Sequence, residues 1–261
     1  NTMHSSLIVN SNKLDLSFRF NSKTKEIVVT PSFLPTGVSI QNNLLIGSGD
    51  CKDFRSQVNF KERLEGKTIM ILINGFYPVQ CPNFDHDLAI TETEHYFYGA
   101  FKKIWMDSGG TINGDYKRRK KSKTNALIAH MDSEELNSIL RLTLKESDNL
   151  ASRNIFLSFA EKTNQTKLRN TRKAVYKSMK NNDVQWHNRN FIENGSGLSR
   201  KTRLKPESVM GLLKKIDQET KFLEIKSMLP VSGIDGTLKN IYRSETLRGQ
   251  MKLKTGTLNG V

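Results

Sequence analysis

The sequence predicts a mixed α/β (α+β) fold, in which a β-rich part is followed by a part that combines helices with at least one strand. Three patterns support this prediction. Apolar and polar residues alternate near the start of the chain, apolar residues recur at three- and four-residue intervals after residue 82, and alternation returns near residue 253. We therefore expect a β-rich domain at residues 1–84 and a mixed domain at residues 85–261.

Short apolar runs between turn residues define the β-rich part. In residues 14–20, Leu14, Leu16, Phe18 and Phe20 alternate with polar residues, which is the period of a strand with one buried face. A polar stretch at residues 21–25 predicts a turn. Because Pro and Gly separate the runs that follow, further strands are expected at residues 27–30, 38–40, 44–46 and 68–73.

Helical spacing begins after Pro82. A second helix is expected from Asp132, whose carboxylate can cap free N–H groups while Glu135 reaches back, and this helix leads into Ser147. Further helices are expected at residues 171–180 and 206–216, and a strand at residues 251–255. The first helix carries an apolar stripe of Phe97, Ala100, Phe101, Ile104 and Trp105.

The charge balance favours anionic partners. Lys and Arg number 41 against 26 Asp and Glu, a net charge of +15, so nucleic acid and acidic envelope polymers are both open alternatives. Aromatic residues do not interleave with the basic run at residues 117–123, which argues against nucleic acid and favours a solvated loop. No apolar run approaches the roughly 20 residues of a membrane-spanning helix.

The cysteines and histidines give no metal motif. Cys51 and Cys81 permit one disulfide, and two free thiols are the alternative. The five histidines form no helical pair with metal-ligand spacing. Asp85, Asp87 and Glu94 near His86 could suggest a metal, but a polar helix start explains them more simply. We therefore expect no metal and no cofactor.

Two short motifs carry the chemistry. Residues 147–149 read Ser-Asp-Asn and residues 254–256 read Lys-Thr-Gly. Taken singly, the first is typical of helix capping and the second of a strand that ends in a glycine turn. Together and in this order, they match the second and third motifs of penicillin-binding proteins and class A β-lactamases, whose first motif is Ser-x-x-Lys.

Four stretches, residues 144–150, 194–200, 228–238 and 254–258, resemble the class C low-molecular-mass penicillin-binding proteins, which are peptidase S13-like D-alanyl-D-alanine carboxypeptidases and endopeptidases. The resemblance is specific from about residue 85 and looser before it. It implies a transpeptidase-like domain with an antiparallel sheet flanked by helices, preceded by a β-rich inserted domain. It also implies a periplasmic or envelope location, peptidoglycan stem peptides as substrate and β-lactams as ligands.

The resemblance implies a role for most site residues. Ser147 would relay a proton to the leaving nitrogen, and Asn149 would bind a backbone amide of the substrate. Lys254 would supply positive charge, Thr255 would hold the terminal carboxylate, and the Thr257 N–H would form half of an oxyanion hole. The predicted set is Ser147, Asn149 and Lys254 for catalysis, and Asp148, Thr255, Gly256 and Thr257 for substrate binding.

The nucleophile is expected outside this chain. Ser22 and Lys25 have the spacing of the first motif, but they lie in a polar turn rather than at a helix start, so the two side chains would not share a face. We expect a fragment cut at both ends that forms no adduct with penicillin. Asn194 stands where the family usually has Asp, and residues 195–198 are interpreted as a supporting loop. A catalytically silent binding module is the remaining alternative.

Overall fold

The computed structural model describes residues 7–119, 126–160, 168–219 and 223–257. The chain divides into two compact units, Asn1–Asn125 and Ala126–Val261. Two sheets and one long helix form the first unit, whereas helices dominate the described residues of the second. The mixed α/β fold class is therefore confirmed.

The first unit contains two three-stranded sheets. In one sheet, β1 (Lys13–Asn21) lies between β2 (Glu26–Pro31) and β6 (Phe84–Ala89) and runs antiparallel to both. The predicted alternation holds in β1, since Leu14, Leu16 and Phe18 are buried. The strands expected at residues 14–20 and 27–30 are therefore confirmed.

The second sheet is mixed in direction. Its central strand β5 (Thr68–Pro78) pairs parallel with β3 (Val38–Gly47) and antiparallel with β4 (Val58–Glu65). The two strands expected at residues 38–40 and 44–46 are a single continuous strand, β3. The strand β4 was not expected, because charged residues occupy much of its length and mask the alternation.

The two sheets share one hydrophobic core. Phe18 of β1 stacks on Phe84 of β6 with ring centroids 4.5 Å apart, and it meets Phe60 of β4 edge-on at 6.0 Å. The isoleucines of β5 are fully buried in the same cluster. Each such side chain contributes roughly 1.5–3 kcal/mol when removed from water. A disulfide between Cys51 and Cys81, 30 residues apart, decides between the two alternatives left open for these cysteines.

The first unit continues past residue 84. Strand β6 pairs with β1 along six residue pairs, and the helix α1 (Thr93–Asp107) is bonded to the same region through Tyr96, whose hydroxyl donates to the Lys13 carbonyl at 2.5 Å. The compact units therefore divide at residues 125/126. The assignment of residues 1–84 and 85–261 to an inserted and a transpeptidase-like domain stays a prediction.

Helix α1 is confirmed, but its expected apolar stripe is largely exposed. Ala100 is buried, whereas Phe101, Ile104 and Trp105 are about half exposed. The buried side is set by Gly99, where an added Cβ would lie 2.1 Å from the Thr36 carbonyl oxygen. That close approach lets the Thr36 N–H donate to the Gly99 carbonyl at 3.1 Å. Backbone packing, rather than the apolar stripe, fixes the orientation of the helix.

The second unit is built from five described helices. The helices expected at residues 171–180 and 206–216 are confirmed, the latter with Pro206 in its first turn. The expected start at Asp132 is wrong, since residues 132–135 are exposed and Glu135 makes no side-chain capping bond. The helices are α2 (Leu136–Glu146), α3 (Asn149–Ser158), α4 (Leu168–Asn181), α5 (Pro206–Gln218) and α6 (Leu223–Met228).

Strand pairing in the second unit is limited within the described residues to two isolated antiparallel bridges, Phe191 with Arg203 and Val231 with Lys252. The strand expected at residues 251–255 is reduced to the second bridge. No helix in the described ranges is long and apolar enough to cross a membrane.

Candidate active site

The Ser-Asp-Asn stretch forms the turn between α2 and α3. Ser147 follows the last residue of α2 in the left-handed conformation, with φ 59° and ψ 44°. Asp148 caps α3, because its Oδ1 accepts the N–H groups of Leu150 at 2.8 Å and Ala151 at 3.0 Å. Asn149 is therefore the first residue of a capped helix. The capping role that this residue combination typically has belongs to Asp148.

The Lys-Thr-Gly segment is anchored just before the motif. The Leu253 N–H donates to the Pro230 carbonyl at 3.0 Å, and the Ser232 N–H donates to the Met251 carbonyl at 2.9 Å. The hydroxyl of Ser232, a fully buried residue, accepts the Met251 N–H at 3.1 Å. The position of residues 254–257 is thus set by the segment around Ser232.

Both motifs line one cavity of about 460 Å³ within the second unit. All seven residues predicted for the site border it, so Asn149 and Thr255 open onto the same space. The roles assigned to these residues stay predictions. The other lining residues are Thr143, Leu144, Ser152, Gly195, Ser196, Gly197, Leu198 and Thr237.

A direct hydrogen bond joins the two motifs. The Lys254 Nζ donates to the Ser147 Oγ at 2.6 Å and to its neighbouring Thr255 carbonyl at 2.9 Å. Loss of hydrating water lowers the pKa of the Lys254 ammonium below its ordinary value of 10.5. Lowering the pKa increases the neutral fraction of the amine, which can accept a proton. The pair therefore has both the contact and the electrostatic bias needed for proton transfer.

The hydroxyl of Thr255, in the Lys-Thr-Gly motif, contacts the hydroxyl of Thr237. The Thr255 Oγ1 lies 2.8 Å from the Thr237 Oγ1, and either oxygen can be the donor. If Thr255 is the donor, this bond fixes the direction of its hydroxyl hydrogen; if Thr237 is the donor, the Thr255 hydroxyl hydrogen can point to another acceptor. At Gly256, apart from its two chain neighbours, no atom of the described residues lies within 4 Å of the position of an added Cβ, so the backbone there borders open space.

An ion pair joins α2 to the segment that anchors the third motif. The Lys145 Nζ donates to the Leu229 carbonyl at 2.8 Å and to the Asp235 carboxylate at 2.5 Å. The Val231 N–H donates to the other carboxylate oxygen at 2.8 Å. Partial burial acts to raise the pKa of Asp235, but the hydrogen bonds from Lys145 and Val231 outweigh it, so the pKa lies below 3.8.

A glycine allows the segment around Asp235 to lie close to the backbone of α2. At Gly236, which has φ +55°, an added Cβ would lie 2.5 Å from the Lys145 carbonyl oxygen. Motif spacing alone predicts no role for Lys145, Asp235 or Thr237. All three lie inside the stretches 144–150 and 228–238 that carry the family resemblance, and that is the signal that could have found them.

The loop at residues 194–198 supports one wall of the cavity. The Asn194 Oδ1 accepts the N–H of Ser196 at 3.0 Å and its hydroxyl at 2.9 Å. Gly195 has φ +72° and packs so closely on Phe156 that an added Cβ would lie 2.3 Å from its Cβ. The Ser152 hydroxyl donates to the Gly195 carbonyl at 2.8 Å. Asn194 acts here as an acceptor, which an aspartate carboxylate could also be.

Comparison with known proteins decides the family. The model of the family "D-Ala-D-Ala carboxypeptidase 3 (S13)" matches residues 3–261. The chain belongs to this family. It is 24% identical over 193 residues to the D-alanyl-D-alanine carboxypeptidase DacB of Haemophilus influenzae, an alignment that covers 72% of this chain and 40% of the relative.

Two solved structures share the fold. A crystal structure of penicillin-binding protein 4 (dacB) from Haemophilus influenzae in complex with a novel β-lactam has a TM-score of 0.77 and 20% identity, over 99% of this chain and 60% of that one. A second crystal structure of the same Haemophilus influenzae protein has a TM-score of 0.78 and 20% identity, over 98% of this chain and 56% of that one. The chain thus spans about two to three fifths of the length of these relatives.

Ser22 lies in a turn rather than at the start of a helix. Residues 22–25 form the turn that joins β1 to β2, and the Asn21 Oδ1 accepts the N–H groups of Lys23 and Thr24 within it. A turn cannot place Ser22 and Lys25 on one face of a helix. The rejection of this serine as the nucleophile of an S13 motif is consistent with its structure.

The acidic residues near His86 do not form a metal site within the part of the chain that the structure describes. Asp85, His86 and Asp87 lie in strand β6, whereas Glu94 lies in the first turn of α1. His86 stacks on Phe60 at 4.4 Å, and Asp87 pairs with Lys13. Within the described ranges no group of three His, Cys, Asp or Glu could hold a metal. Arg118 of the basic run pairs with Glu94, and residues 120–123 lie outside the described residues.

Proposed function

We propose that this chain is part of a serine-type D-alanyl-D-alanine carboxypeptidase or endopeptidase that acts on peptidoglycan stem peptides in the periplasm or cell envelope. The observation that carries the proposal is the 2.6 Å contact between Lys254 Nζ and Ser147 Oγ. It lies in a cavity of about 460 Å³ that Asn149 and Thr255 also line. Cavities that bind small ligands have about this volume.

The proposed reaction passes through an acyl-serine. The hydroxyl of a serine outside these 261 residues attacks the carbonyl carbon of the penultimate D-alanine, and the bond from that carbon to the nitrogen of the terminal D-alanine breaks. The proton released from the serine reaches the leaving nitrogen through Ser147 and Lys254, which are already hydrogen-bonded. Water then hydrolyses the ester and restores the serine.

The other cavity residues would hold the peptide. The Asn149 amide would bind a backbone amide, and the Thr255 hydroxyl with the nearby Lys254 charge would hold the terminal carboxylate. Open space at Gly256 would let the peptide backbone approach, and the Thr257 N–H would donate to the developing oxyanion. The Asp148 carboxylate is engaged by α3, so its contribution would be to position Asn149.

The test uses the full-length gene product and a fluorescent penicillin. We expect one covalent adduct, mapped by peptide mass spectrometry to a serine outside residues 1–261 with a lysine three residues later. The 261-residue chain alone should form no adduct. In the full-length protein, Lys254→Ala should lower the second-order acylation rate roughly 10²–10⁴-fold, the usual contribution of a proton-transfer group.

Lys239→Ala is the matched control, because Lys239 is exposed and does not line the cavity. It should leave acylation unchanged. An adduct on Ser22 would refute the placement of the nucleophile. A full-length protein that binds penicillin only reversibly and releases no D-alanine from an acyl-D-alanyl-D-alanine peptide would be a silent binding module instead, and the proposal would fail.

A further inference from the structure

Helix α4 presents a row of cations to solvent. Arg169, Lys173, Lys177 and Lys180 are all exposed, and their spacing of four, four and three residues places them on one side of the helix. We call these four residues the α4 cationic stripe. At 1.5 Å per residue it extends about 16 Å. The helix contains no acidic residue from Leu168 to Asn181.

Several lysines of the other helices have an acidic partner, unlike those of the stripe. On α1, Lys103 pairs with Asp107 one turn later, and on α5, Lys215 pairs with Glu219 at the same spacing. No ion pair of a stripe residue with another described residue is found. Like charges four residues apart repel each other along a helix. The stripe therefore has no counter-ion among the described side chains.

One end of the stripe opens onto a second cavity, of about 490 Å³, which we call the aromatic pocket. The rings of Tyr176 and Trp186 are half-buried in it, with centroids 5.6 Å apart and planes tilted by 40°. Lys180 belongs to both the stripe and the pocket, so the two form one continuous surface. The pocket is lined by Tyr176, Lys180, Asp183, Val184, Gln185 and Trp186.

The polar residues of the pocket favour a sugar over a phosphate. The Asp183 carboxylate repels any anionic group beside it, phosphate included, whereas it can accept hydrogen bonds from sugar hydroxyls, so a sugar ring in the pocket would have to direct its own carboxylate away from Asp183 and toward Lys180. Gln185 can both donate and accept, and the aromatic rings offer an apolar surface against which the C–H face of a sugar ring can pack. The pocket thus suits a hydroxyl-rich ring, and the stripe suits acidic groups further along the same strand.

We propose that the α4 cationic stripe and the aromatic pocket form a binding site for an anionic polysaccharide. One sugar ring occupies the pocket, and carboxylate groups on the following rings pair with the stripe. This site is separate from the cavity that holds the two motifs, since the two share no lining residue. The acylation assay above does not depend on it, so the two proposals can fail independently.

The first experiment measures binding of a fluorescent oligogalacturonate to the 261-residue chain by anisotropy at several salt concentrations. Four contacts with a single-stranded polyanion give a slope of log affinity against log salt of about −2.8, so affinity should fall roughly fifty-fold between 50 and 200 mM salt. A variant with a neutral stripe should lose most of this slope. It carries the four changes Arg169→Gln, Lys173→Gln, Lys177→Gln and Lys180→Gln.

A matched variant changes four exposed lysines elsewhere and has the same net charge: Lys23→Gln, Lys52→Gln, Lys205→Gln and Lys239→Gln. It should keep the slope. Equal losses in the two variants would show that only the overall charge matters and would overturn the proposal. The circular dichroism spectra of both variants should match that of the parent chain. A further variant, Gln185→Ala, changes the pocket alone and tests oligosaccharide binding without changing the charge.

The second experiment uses Trp186 as a reporter of the pocket. In a Trp105→Phe chain Trp186 is the single tryptophan, because the sequence has two. Oligogalacturonate should change its emission, and Gln185→Ala should weaken binding several-fold with little change in the salt slope. Unchanged emission at saturation would refute the pocket. Tighter binding of single-stranded DNA of equal charge, with the same emission change, would assign the site to nucleic acid and overturn the proposal.

Discussion

The two compact units are stabilised by different kinds of interaction. In the first, apolar side chains from both sheets form one buried cluster that includes the isoleucines of β5. In the second, fewer described apolar residues are buried, and polar residues such as Thr171, Asn190, Ser208 and Ser232 are buried among them. The candidate active site lies in the unit with the smaller apolar core.

This difference shows how the site is held. The Lys145 ammonium, the Ser152 hydroxyl and the Ser232 hydroxyl each donate to a backbone carbonyl from a distant part of the chain. Such bonds have direction, so they fix loop positions that nondirectional apolar contact leaves free. Loss of apolar volume should therefore affect the first unit most, and loss of a polar partner should affect the second. Trp105 in the first unit and Trp186 in the second can report on them separately.

The largest effect is expected from Ile71→Ala in the centre of β5. Ile71 is fully buried, so the change removes apolar contacts and leaves a cavity, at a cost of about 4 kcal/mol in the free energy of unfolding. Urea unfolding followed by Trp105 emission, in a Trp186→Phe background, measures it. Val28→Ala is the control, because Val28 is 40% exposed and should cost under about 1 kcal/mol. Similar costs for both would contradict a core centred on β5.

The disulfide should have a slightly smaller effect in the same unit. Cys51 and Cys81 are 30 residues apart, and closing a loop of that length stabilises the folded state by roughly 3.5 kcal/mol. Changing both to Ser should lower the unfolding free energy reported by Trp105 by about this amount. The parent chain should show no free thiol in a mass measurement under non-reducing conditions. Two reactive thiols would refute the bridge.

A smaller effect is expected from Asp235→Asn in the second unit. The change removes the ionic partner of Lys145, and because Asp235 is 40% exposed, screening limits the cost to about 1–2 kcal/mol. The free energy of unfolding is read from Trp186 emission in a Trp105→Phe chain. Asp217→Asn is the matched control, since Asp217 pairs with Lys226 and is 67% exposed. It should cost less.

The effect of Asp235→Asn should depend on pH. The pKa of Asp235 in the folded chain lies below its ordinary value of 3.8, so its stabilising contribution is present above pH 3.8 and is lost as the pH falls through the lower folded pKa. The difference between parent and variant should vanish in strong acid. A difference that grows as the pH falls below 3.8 would show that the pair does not stabilise the charged form.

The smallest effect is a shift in proton affinity at Lys254. Desolvation lowers its pKa below 10.5, whereas hydrogen bonds to Asp115 and Glu219 raise the pKa values of Lys67 and Lys215 above 10.5. Titration of ¹³C-labelled lysines by NMR, assigned with Lys254→Arg, should place Lys254 on the opposite side of 10.5 from the other two. All three on one side would contradict the site electrostatics.

The same shift affects stability at high pH. Between its lowered pKa and 10.5 the folded chain binds fewer protons at Lys254 than the unfolded chain does, so this residue makes stability rise with pH in that window. Lys67 and Lys215 act in the reverse direction, because their contribution is lost as the pH rises through their raised pKa values.

Alternation predicted the first sheet well where one face is buried and the other polar, as in β1. It failed at β6, where Asp85, His86 and Asp87 suggested a polar helix start. In the fold their outward side chains bind Ser17 and Lys13, and His86 stacks on Phe60. These partners come from distant strands, so no local pattern could reveal them. The sequence pattern also did not predict that the apolar stripe of α1 is exposed. The buried side of α1 depends on the contact between Gly99 and Thr36, which are far apart in sequence.

The motif order predicted which residues share the cavity but not what holds them there. Residues 147–149 and 254–257 all line it. The Lys145–Asp235 pair and the Thr237–Thr255 contact connect segments about 90 and 18 residues apart, and each depends on the path of the chain between them. The strand expected at residues 251–255 was reduced to one bridge, because the described second unit provides pairing only along residues 230–232.

The left-handed backbone at Ser147 restricts which residue can supply its hydroxyl. Threonine carries the same functional group, but its branched Cβ is strongly disfavoured at a φ of 59°. Glycine, asparagine and aspartate tolerate that conformation but lack a hydroxyl. Serine is thus compatible with both the turn and the proposed proton relay, and at this position the main chain favours serine over the chemically equivalent alcohol of threonine.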